Sequence, residues 1–559
     1  MKRRVERERS RWAAGATGCG AEALAYAESP SFPPKRSRVR NIAIERLRTA
    51  RALEWGVALL SALALALAFP RTQQAWLAPV GAAGLFWVWQ RLPAAKAFWA
   101  GWFAGVVFFG ISFSWFTYTV GSYVGSLAFA VVIIPAAIEA LAFGLSALGF
   151  HAALRWAPPW LAPAAGAAIF TVFEWLRSVD VTGVPFAQIG YTQTSTALGV
   201  FAAYIGSFGV TFVVMLLGAY AASAIVSRRL QACAIAFALL AIGWIASYAY
   251  WPARHAAAPT MMVAAVQGNI AQSIKWNKQT LPRSVARYTQ LTLGLAPLHP
   301  QLIVWPETVI TTNLDDLLPA DTALNQRFQA LARQMNATLV VGSLDTHWGL
   351  EGLREYNALY TFAPSGMLFN IYDKRQLVPF AESMLAPALF SWLPDANLIG
   401  HFGHGTGDAI VQAGPMSFAP LICWESAFPD LIHAQIARGA QFLVISTDDA
   451  WFGASSGTFQ HAQIAQMRAI ESGQWVLQSA STGISGLIAP DGRWTQAIGV
   501  NKTGVVAGKI GLPPGSAFAR IGPNAIATAL ALFYVAIVGL GIAWRNMPST
   551  ARRPVRDDA

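Results

Sequence analysis

The sequence predicts a multi-pass α-helical membrane protein with one inserted α/β domain. Of its 559 residues, 55% are hydrophobic and only 12% are charged, whereas about 25% of the residues in a typical soluble protein are charged. Several apolar segments approach the roughly 20 residues that a helix needs to cross the hydrocarbon core of a bilayer. Residues 259–511 instead alternate short apolar runs with amphipathic segments, a pattern typical of an α/β domain with its own core.

Eight apolar segments are candidate membrane spans, seven before the α/β domain and one after it. They are predicted at residues 52–69, 74–91, 97–119, 123–153, 161–177, 207–227, 230–251 and 523–544. Basic residues are concentrated in both tails and in alternate short loops between these segments, as is typical of cytoplasmic loops. The α/β domain is then expected on the opposite, extracytoplasmic side of the membrane.

The same alternation predicts the domain organisation. We expect a basic, disordered cytoplasmic extension, seven spans, an extracytoplasmic catalytic domain, a last span and a basic cytoplasmic tail, at residues 1–51, 52–251, 252–522, 523–545 and 546–559. The net charge of +12 would also suit nucleic acid, but the arginines lie beside apolar spans. We therefore expect the bilayer, and no nucleic acid, to be their partner.

Short apolar and amphipathic runs predict the elements of the α/β domain. Strands are expected at residues 261–266, 302–306, 338–342, 358–363, 366–373, 408–412, 416–422, 442–447, 475–480 and 505–509, and helices at 284–296, 323–335, 429–438 and 458–473. The eight histidines show no metal-ligand spacing beside cysteines or carboxylates, so no metal site is expected.

Cys423 follows the apolar run 417–422 and lies just before the predicted helix 429–438. At such a strand-to-helix turn the sulfur lies at the edge of the sheet, where backbone N–H groups can lower its pKa and receive an oxyanion. Taken alone, however, the pattern is more typical of a buried structural cysteine. The other two cysteines, Cys19 and Cys233, lie in the extension and in a predicted span, and they give no disulfide framework.

Two further apolar runs also end in an ionisable residue. Residues 302–306 precede Glu307, and residues 366–373 precede Lys374. Glutamate, lysine and cysteine, in this order at three strand ends, can supply a general base, an oxyanion donor and a nucleophile. This constellation resembles the nitrilase (carbon–nitrogen hydrolase) superfamily, and it favours a catalytic role for Cys423.

The surrounding motifs resemble those of the apolipoprotein N-acyltransferases, the membrane-bound branch of that superfamily. These motifs are VQGNIAQSIKW at 266–276, WPET at 305–308, YN at 356–357, YDK at 372–374, VPFAE at 378–382, CWE at 423–425, EWLR at 174–177 and GY at 190–191. The resemblance covers about residues 52–545. It implies an αββα sandwich inserted between the last two of about eight transmembrane helices.

The resemblance also implies the activity and its residues. Such enzymes transfer an acyl chain from a phospholipid, typically phosphatidylethanolamine, to the α-amino group of the diacylglyceryl-cysteine of an apolipoprotein. They act without a cofactor in the bacterial inner membrane, with the catalytic domain on the periplasmic side. The implied catalytic residues are Glu307, Lys374 and Cys423, and the implied substrate-binding or supporting residues are Trp276, Asn357, Glu382, Trp424, Glu425 and Glu174. Position 424 is commonly tyrosine in the family.

The residue types suggest the steps of the reaction. Glu307, with a pKa raised by burial and neighbours, would take the thiol proton. Cys423 would then attack the lipid ester, and Lys374 together with a backbone N–H after the cysteine would stabilise the oxyanion. A thioester would remain for the amine of the second substrate.

Two other functional classes stay open at this point. A membrane-tethered amidase or nitrilase would use the same three residues, because the triad alone does not distinguish hydrolysis from transfer. A transporter or non-enzymatic lipoprotein-binding protein would leave the order of Glu307, Lys374 and Cys423 unexplained. The apolar spans favour acyl transfer from a lipid.

Two segments have both a functional and a structural interpretation. Glu174, at the end of a predicted span, is either a functional residue of the membrane part or the ion-pair partner of Arg177. Residues 384–393 are strongly apolar but too short to span a bilayer. They are either an interfacial lid that admits acyl chains or ordinary core.

Overall fold

The computed structural model describes most of the chain between residues 52 and 546. The described ranges are 52–125, 128–179, 183–227, 230–250, 257–314, 319–349, 352–379, 381–383, 402–407, 409–513 and 515–546. The predicted basic extension 1–51, the candidate lid 384–393 and residues 547–559 of the tail lie outside them. Their predicted roles therefore stay predictions.

Helices form the membrane part and the outer layers of the inserted domain. The described helices are α1 (Ala52–Leu67), α2 (Leu77–Arg91), α3 (Ala94–Ser112), α4 (Phe116–Val124), α5 (Ala128–Glu139), α6 (Leu141–Trp156), α7 (Ala162–Leu176), α8 (Ala202–Ser227), α9 (Leu230–Tyr250), α10 (Gln272–Lys275), α11 (Leu281–Leu293), α12 (Pro319–Met335), α13 (Pro429–Ala437), α14 (Ser456–Ser472), α15 (Phe518–Ile521) and α16 (Pro523–Asn546).

Four helical stretches within the described residues are long and apolar enough to cross a membrane. They are Ala94–Ser112, Ala128–Trp156, Ala197–Ser227 and Pro523–Asn546, and shorter apolar helices occupy Ala52–Leu67, Ala162–Leu176 and Phe237–Ala246. The membrane character of the chain is thus confirmed, whereas the number of eight spans stays a prediction. The segment predicted as one span at 123–153 is divided among α4, α5 and α6.

The contacts of the membrane helices distinguish the helix ends near the inserted domain from those far from it. At one level, Arg91 at the end of α2 pairs with Glu54 in α1 (3.0 Å). At the other level, the side chain of Gln460, in the inserted domain, donates a hydrogen bond to the carbonyl of Ser112 at the end of α3 (2.9 Å). Because α3 begins beside Arg91, this arginine lies at the end of the helices away from the inserted domain.

Two six-stranded sheets form the inserted domain. Its strands are β1 (Ala257–Gln267), β2 (Leu302–Val304), β3 (Thr338–Gly349), β4 (Gly352–Phe362), β5 (Leu368–Asp373), β6 (Val411–Ala413), β7 (Met416–Ile422), β8 (Phe442–Thr447), β9 (Trp475–Ala480), β10 (Ser485–Ile488), β11 (Trp494–Ile498) and β12 (Gly504–Leu512). The strand orders are β12-β1-β2-β3-β4-β5 and β11-β10-β9-β8-β7-β6. Strands β1–β2–β3 and β7–β8–β9 are parallel, so their carboxyl ends share an edge in each sheet.

The sequence-based prediction fell short for four of these strands. β3 and β4 were predicted at 338–342 and 358–363, but they pair as a long antiparallel hairpin from Leu339–Phe362 out to Gly349–Gly352. The far half of this hairpin carries polar residues on both faces, which hides the alternation expected of a half-buried strand. β10 and β11 were not predicted, and they are among the shorter strands of the domain.

Three apolar layers hold the domain together. Side chains such as Val263 and Val304 pack against Phe418 and Phe442 between the two sheets. Helices α11 and α12 cover the outer face of the first sheet, and Trp305 is part of that core. The apolar cluster on the outer face of the second sheet is continuous with the core of the membrane part. The second sheet and its helices α13 and α14 therefore face the membrane helices.

The inserted domain contacts the membrane part at a break in α8. Gly206 has φ +65°, and an added Cβ would lie 2.3 Å from the ring of Phe518, so only glycine fits at this position. Ser207 follows the break and donates its backbone N–H to Glu471 of α14 (2.5 Å). Arg468, which is fully buried, pairs with the same carboxylate (3.1 Å). This buried contact fixes the domain on the membrane part.

Candidate active site

Cys423 lies at a sharp turn where β7 ends. Ile422 is the last strand residue, and Cys423 opens the short 3-10 helix Cys423–Ala427. The backbone of Cys423 has φ +49°, a left-handed conformation that costs free energy for any residue except glycine. The side chain is 8% exposed. A strained turn of this kind aims one side chain away from the sheet, as a nucleophile requires.

Glu307 lies three residues beyond the end of β2, at the corresponding edge of the other sheet. It is 4% exposed. The next residue, Thr308, also has a left-handed backbone, with φ +42°. The chain therefore turns sharply just after Glu307 in one sheet and just after β7 in the other. These two turns bring the side chains of Glu307 and Cys423 to the same edge of the domain.

A buried lysine connects two carboxylates at this edge. Nζ of Lys374 lies 2.9 Å from Oε1 of Glu307 and 2.8 Å from Oε1 of Glu382. The Asn357 side chain donates to the same two oxygens, at 2.6 Å and 3.1 Å. The structure thus brings together four residues that the sequence selected, and each buried charge has a charged partner, as burial requires.

The electrostatics of the cluster differ from the sequence-based expectation. Burial raises the pKa of Glu307, but the charge and hydrogen bond of Lys374 outweigh burial and hold that pKa below its ordinary value. The predicted rise was therefore wrong, because a buried ammonium group 2.9 Å away stabilises the ionised carboxylate. Burial lowers the pKa of Lys374, and the charges of Glu307 and Glu382 raise it to well above normal.

The thiol of Cys423 is un-ionised at neutral pH in this environment. Burial, followed by the negative charge of Glu307, raises its pKa well above the ordinary value, and the charge of Lys374 opposes this rise. The resting site therefore contains a thiol, a carboxylate and an ammonium group. A thiol can become a nucleophile here only if its proton moves to a base as the reaction proceeds.

Glu425 braces the two segments that carry Cys423 and Lys374. Its carboxylate accepts the backbone N–H groups of Ile422 (2.7 Å) and Arg375 (2.6 Å). The Tyr372 hydroxyl donates to it as well (3.0 Å). Burial raises the pKa of Glu425 to about 7, against the lowering effect of these backbone hydrogen bonds. Because Glu425 contacts both segments, it can position Cys423 relative to Lys374.

Lys275 is a second buried lysine, and the sequence analysis did not select it. Its Nζ donates to Oδ2 of Asp448 (2.5 Å), to the hydroxyl of Thr308 (2.6 Å) and to the carbonyl of Glu307 (3.2 Å). The backbone N–H of Asp448 donates in turn to Oε2 of Glu307 (2.7 Å). Lys275 therefore fixes the left-handed turn at Thr308. It also fixes Asp448, whose backbone N–H binds the Glu307 carboxylate. Its place in the motif at 266–276 was the one signal in the sequence.

His461 and Asp449 support the Cys423 turn from behind. Nδ1 of His461 lies 2.8 Å from Oδ1 of Asp449, and its Nε2 lies 3.1 Å from the Cys423 carbonyl and 2.9 Å from the Ser426 hydroxyl. Burial lowers the pKa of His461, but the charge of Asp449 raises it above its ordinary value. The sequence analysis did not include His461 or Asp449 among the candidate site residues.

The two selected tryptophans have different surroundings. Trp424 is 3% exposed and stacks on Phe186, a residue of the loop after α7, with ring centroids 5.0 Å apart. It therefore joins the Cys423 turn to the membrane part through ring packing. Trp276 is 47% exposed, and its ring centroid lies 5.9 Å from Nζ of Lys275. Trp276 is thus at the surface of the site, next to the buried lysine.

Glu174 lies in the membrane part and makes structural contacts. Oε1 of Glu174 accepts the N–H of Ile189 (2.8 Å) and lies 3.7 Å from Arg177. Arg177 also donates to the carbonyl of Phe186 (3.1 Å). Among the described contacts, none joins Glu174 to Glu307, Lys374 or Cys423, and those it makes match the ion-pair interpretation. Glu174 and Arg177 shape the loop on which Trp424 stacks.

One cluster of potential metal ligands lies next to Lys374. Ligand atoms of Asp345, His347 and Asp373 all lie within 4.8 Å of one another. His347 already pairs with Asp373 (2.9 Å) and stacks on Tyr356 with centroids 3.9 Å apart. An ion pair accounts for this cluster.

Two family models and several curated proteins match the sequence of this chain. Residues 262–517 match the family model described as carbon–nitrogen hydrolase, and residues 61–220 match that of the apolipoprotein N-acyltransferase N-terminal domain. The chain is 32% identical to the apolipoprotein N-acyltransferase of Methylococcus capsulatus, over 78% of this chain and 86% of that protein. It is 30% identical to that of Coxiella burnetii, over 81% of this chain and 93% of that protein.

Among solved structures, an amidase from Nesterenkonia sp. aligns with 17% identity and a TM-score of 0.36, covering 48% of this chain and 95% of the amidase.

Proposed function

We propose that this chain transfers an acyl group through a thioester intermediate. The chain belongs to the apolipoprotein N-acyltransferase family of the carbon–nitrogen hydrolase superfamily. The chain is a membrane acyltransferase that N-acylates lipoproteins and takes the acyl group from a phospholipid. The alternative of a membrane-tethered amidase is not favoured by these relatives. We further propose phosphatidylethanolamine as the donor, and the bacterial inner membrane with a periplasmic catalytic domain as the location.

The first half-reaction forms the acyl-enzyme. The thiol proton of Cys423 moves to the Glu307 carboxylate as the sulfur bonds to the lipid ester carbonyl carbon. The carbonyl electron pair shifts to the oxygen, and this oxyanion is stabilised by the Lys374 ammonium group and the backbone N–H of Trp424. When the ester C–O bond breaks, Glu307 returns the proton to the lysophospholipid alkoxide. A thioester remains on Cys423.

The second half-reaction transfers the acyl group to the acceptor. The neutral α-amine of the diacylglyceryl-cysteine attacks the thioester carbonyl, and Glu307 accepts a proton from the nitrogen. The thiolate leaves and takes that proton back, which restores the resting thiol and carboxylate. Exclusion of water favours the amine as nucleophile, since water would hydrolyse the thioester.

The observation that carries this proposal is the position of Lys374 between Glu307 and Glu382. The lysine holds Glu307 ionised in a buried site, so the carboxylate is ready to accept a proton. The same ammonium group can neutralise an oxyanion, and Glu382 keeps it fixed when Glu307 becomes protonated. One cation thus serves the base and the oxyanion at successive moments of the reaction.

A product assay tests the function itself. Purified protein given phospholipid and a diacylated lipopeptide should yield triacylated lipopeptide and lysophospholipid in equal amounts, read by mass. Release of free fatty acid without triacylated lipopeptide would instead identify the chain as a hydrolase.

Reporter fusions test the proposed orientation. A periplasm-active reporter fused within residues 252–260 or just before Ile521 should be active, and the same reporter fused at residue 228 should be inactive. The reason is the concentration of basic residues at the helix ends away from the catalytic domain. A cytoplasmic signal from fusions within the catalytic domain would reverse the orientation.

Substitution of Lys275 tests its role as a positioning residue. Glu307 faces the cations Lys374 and Lys275, and the charge of Lys275 contributes to lowering its pKa. Because Glu307 must be ionised to accept the thiol proton, Lys275→Met should move the acid limb of the acylation rate to higher pH. The measurement is the pH profile of thioester formation on Cys423.

The control for this prediction is Lys275→Arg, which keeps the charge. It should leave the acid limb close to its wild-type position even where geometric misfit lowers the rate. If Lys275→Met lowers the rate equally at every pH, Lys275 acts by maintaining the fold and not through Glu307.

A further inference from the structure

The peptide bond between Cys423 and Trp424 lies between the reacting groups and helix α14. Cys423 packs in the core between the two sheets, and Glu307 and Lys374 follow strands of the first sheet. Trp424 and α14 residues such as Ile464 pack in the core on the outer face of the second sheet. One side of this peptide therefore faces α14, and the other side faces Glu307 and Lys374.

His461 of α14 lies on the outer side of this peptide. Its Nε2 is 3.1 Å from the carbonyl oxygen of Cys423. In a planar trans peptide the C=O and N–H bonds point in opposite directions, so the N–H of Trp424 points away from α14 and toward the first sheet. Trp424 is the second residue of its 3-10 helix, and the first N–H groups of a helix have no acceptor within it. This N–H is therefore available to an oxyanion.

Both ring nitrogens of His461 face oxygen atoms that can only accept hydrogen bonds. Nδ1 lies 2.8 Å from Oδ1 of Asp449, and Nε2 faces the Cys423 carbonyl. A neutral imidazole has a hydrogen on one nitrogen only, so one of these contacts would place two acceptors against each other. The imidazolium form donates to both oxygens. The Ser426 hydroxyl, 2.9 Å from Nε2, can share the second of these hydrogens.

The groups that surround His461 favour this charged form. Burial lowers the pKa of His461, but the charge of Asp449, the Cys423 carbonyl and the charge of Glu307 together raise it above its ordinary value. On the side of the membrane part the imidazole faces an uncharged ring, that of Phe186, with centroids 6.3 Å apart. His461 has no exposed surface, so water does not replace it as a donor to the carbonyl.

We propose that His461 is a positioning residue for oxyanion stabilisation, and that its imidazolium form holds the Cys423–Trp424 peptide with the Trp424 N–H directed at the oxyanion. The hydrogen bond to the carbonyl also polarises the peptide, which makes its N–H a stronger donor. This inference rests on the proposed acyl-transfer mechanism and assigns the origin of its second oxyanion donor. His461 itself does not contact the substrate.

Loss of the His461 proton would release this peptide. Nε2 would then accept a hydrogen bond from the Ser426 hydroxyl, and the Cys423 carbonyl would lose its donor. The left-handed backbone of Cys423, with φ +49°, costs free energy and would no longer be held by this contact. Because His461 is charged below its pKa, acylation should decrease as pH rises through that pKa. Lys374, with a pKa well above normal, stays charged over this range.

The rates of two reactions at Cys423 test the proposal. Acylation develops an oxyanion, whereas alkylation of the sulfur by iodoacetamide does not. His461→Leu should slow acylation about a hundredfold, the cost of misplacing a catalytic group by about 1 Å, and should leave alkylation close to the wild-type rate. His461→Gln, whose amide can donate to the same carbonyl, should keep most of the acylation rate and lose its decrease at high pH. Gln466→Leu, which removes another hydrogen bond from an α14 side chain to a backbone carbonyl (2.7 Å), is the matched control.

Asp449→Asn tests the charge of His461 without removing the imidazole. It keeps an acceptor at Nδ1 but removes the negative charge that raises the pKa of His461, so the decrease in acylation should move to lower pH. A decrease that stays in place would overturn the proposal. Acylation of folded His461→Leu at the wild-type rate, or an equal loss of acylation and alkylation, would do the same.

A second acyl donor separates this test from that of the proposed function. A p-nitrophenyl fatty-acid ester needs the same oxyanion donors when Cys423 attacks it, but it is not a phospholipid. Wild-type protein that is acylated by this ester and not by phospholipid would refute the proposed donor, and the His461 variants would then be compared with the ester alone. The same hundredfold loss in His461→Leu is expected with either donor.

Discussion

Glu307→Gln should slow the acylation of Cys423 by phospholipid about a hundred- to ten-thousandfold, the range for loss of a general base. The same substitution should make the thiol easier to ionise. The charge of Glu307 is the largest influence after burial that raises the pKa of Cys423, so its removal lowers that pKa. The variant should therefore react with iodoacetamide at lower pH than the wild type, although it no longer accepts acyl groups.

Peptide-level mass spectrometry can follow both reactions at Cys423 and ignores the other two cysteines of the sequence. Glu355→Gln is the matched control, because Glu355 is an exposed glutamate on β4, and both reactions should stay at wild-type rates. Acylation by Glu307→Gln at more than a tenth of the wild-type rate would exclude Glu307 as the base. Loss of alkylation along with acylation would point to a collapsed site.

Lys374→Met should have the second large effect, on both activity and stability. Removal of one oxyanion donor typically costs a hundred- to thousandfold in rate. The substitution also leaves the buried Glu307 and the partly buried Glu382 without their shared cation, and breaking a buried pair such as Lys374–Glu307 typically costs about 3 to 5 kcal/mol. The thermal unfolding temperature in detergent should fall accordingly.

The pH dependence of Lys374→Met follows from the same charges. Without Lys374, the largest influence that opposes burial is lost, so the pKa of Glu307 rises and the carboxylate is protonated over a wider pH range. Residual acylation, which needs ionised Glu307, should be lost at low pH and recover as pH rises. Lys509→Met removes an exposed lysine on β12 and should behave as the wild type. A Lys374→Met protein with unaltered unfolding temperature and rate would contradict the central position given to this lysine.

The sequence predicted Glu307, Lys374 and Cys423 together, because their order at three strand ends resembles that of the carbon–nitrogen hydrolases. Glu307, Lys374 and Cys423 each come at or just after a strand end, and parallel strands bring their carboxyl ends to one edge. The family motifs added Asn357 and Glu382. The structure places both against Lys374 or Glu307.

Local sequence patterns and motifs did not predict contacts between distant segments of the chain. The ion pair of Lys275 with Asp448 joins residues 173 positions apart, and no local period indicates it. The pKa of Glu307 depends on where Lys374 lies in three dimensions, so composition and burial alone gave the wrong direction. The stack of Trp424 on Phe186 likewise joins the catalytic domain to a membrane loop.

The prediction of the fold had the same limit. Apolar length identified the membrane part, but it did not reveal the breaks that divide 123–153 into several helices or the break at Gly206. The break at Gly206 is stabilised by a tertiary contact, the packing of Phe518 on this glycine. Hydrophobicity indicates that a segment is buried, either in lipid or in protein. It does not indicate where the helix within that segment bends or ends.

The most direct test of the proposed mechanism is the intact mass of protein incubated with phospholipid in the absence of lipopeptide. The mass should rise by one fatty acyl group on Cys423, and neutral hydroxylamine should remove it, as expected of a thioester. Diacylated lipopeptide should then discharge the adduct into triacylated product, and Cys423→Ser should show neither step, because an alkoxide is far harder to form than a thiolate. Triacylated product formed at the wild-type rate by Cys423→Ser, or by an enzyme that never carries the acyl group, would contradict the mechanism.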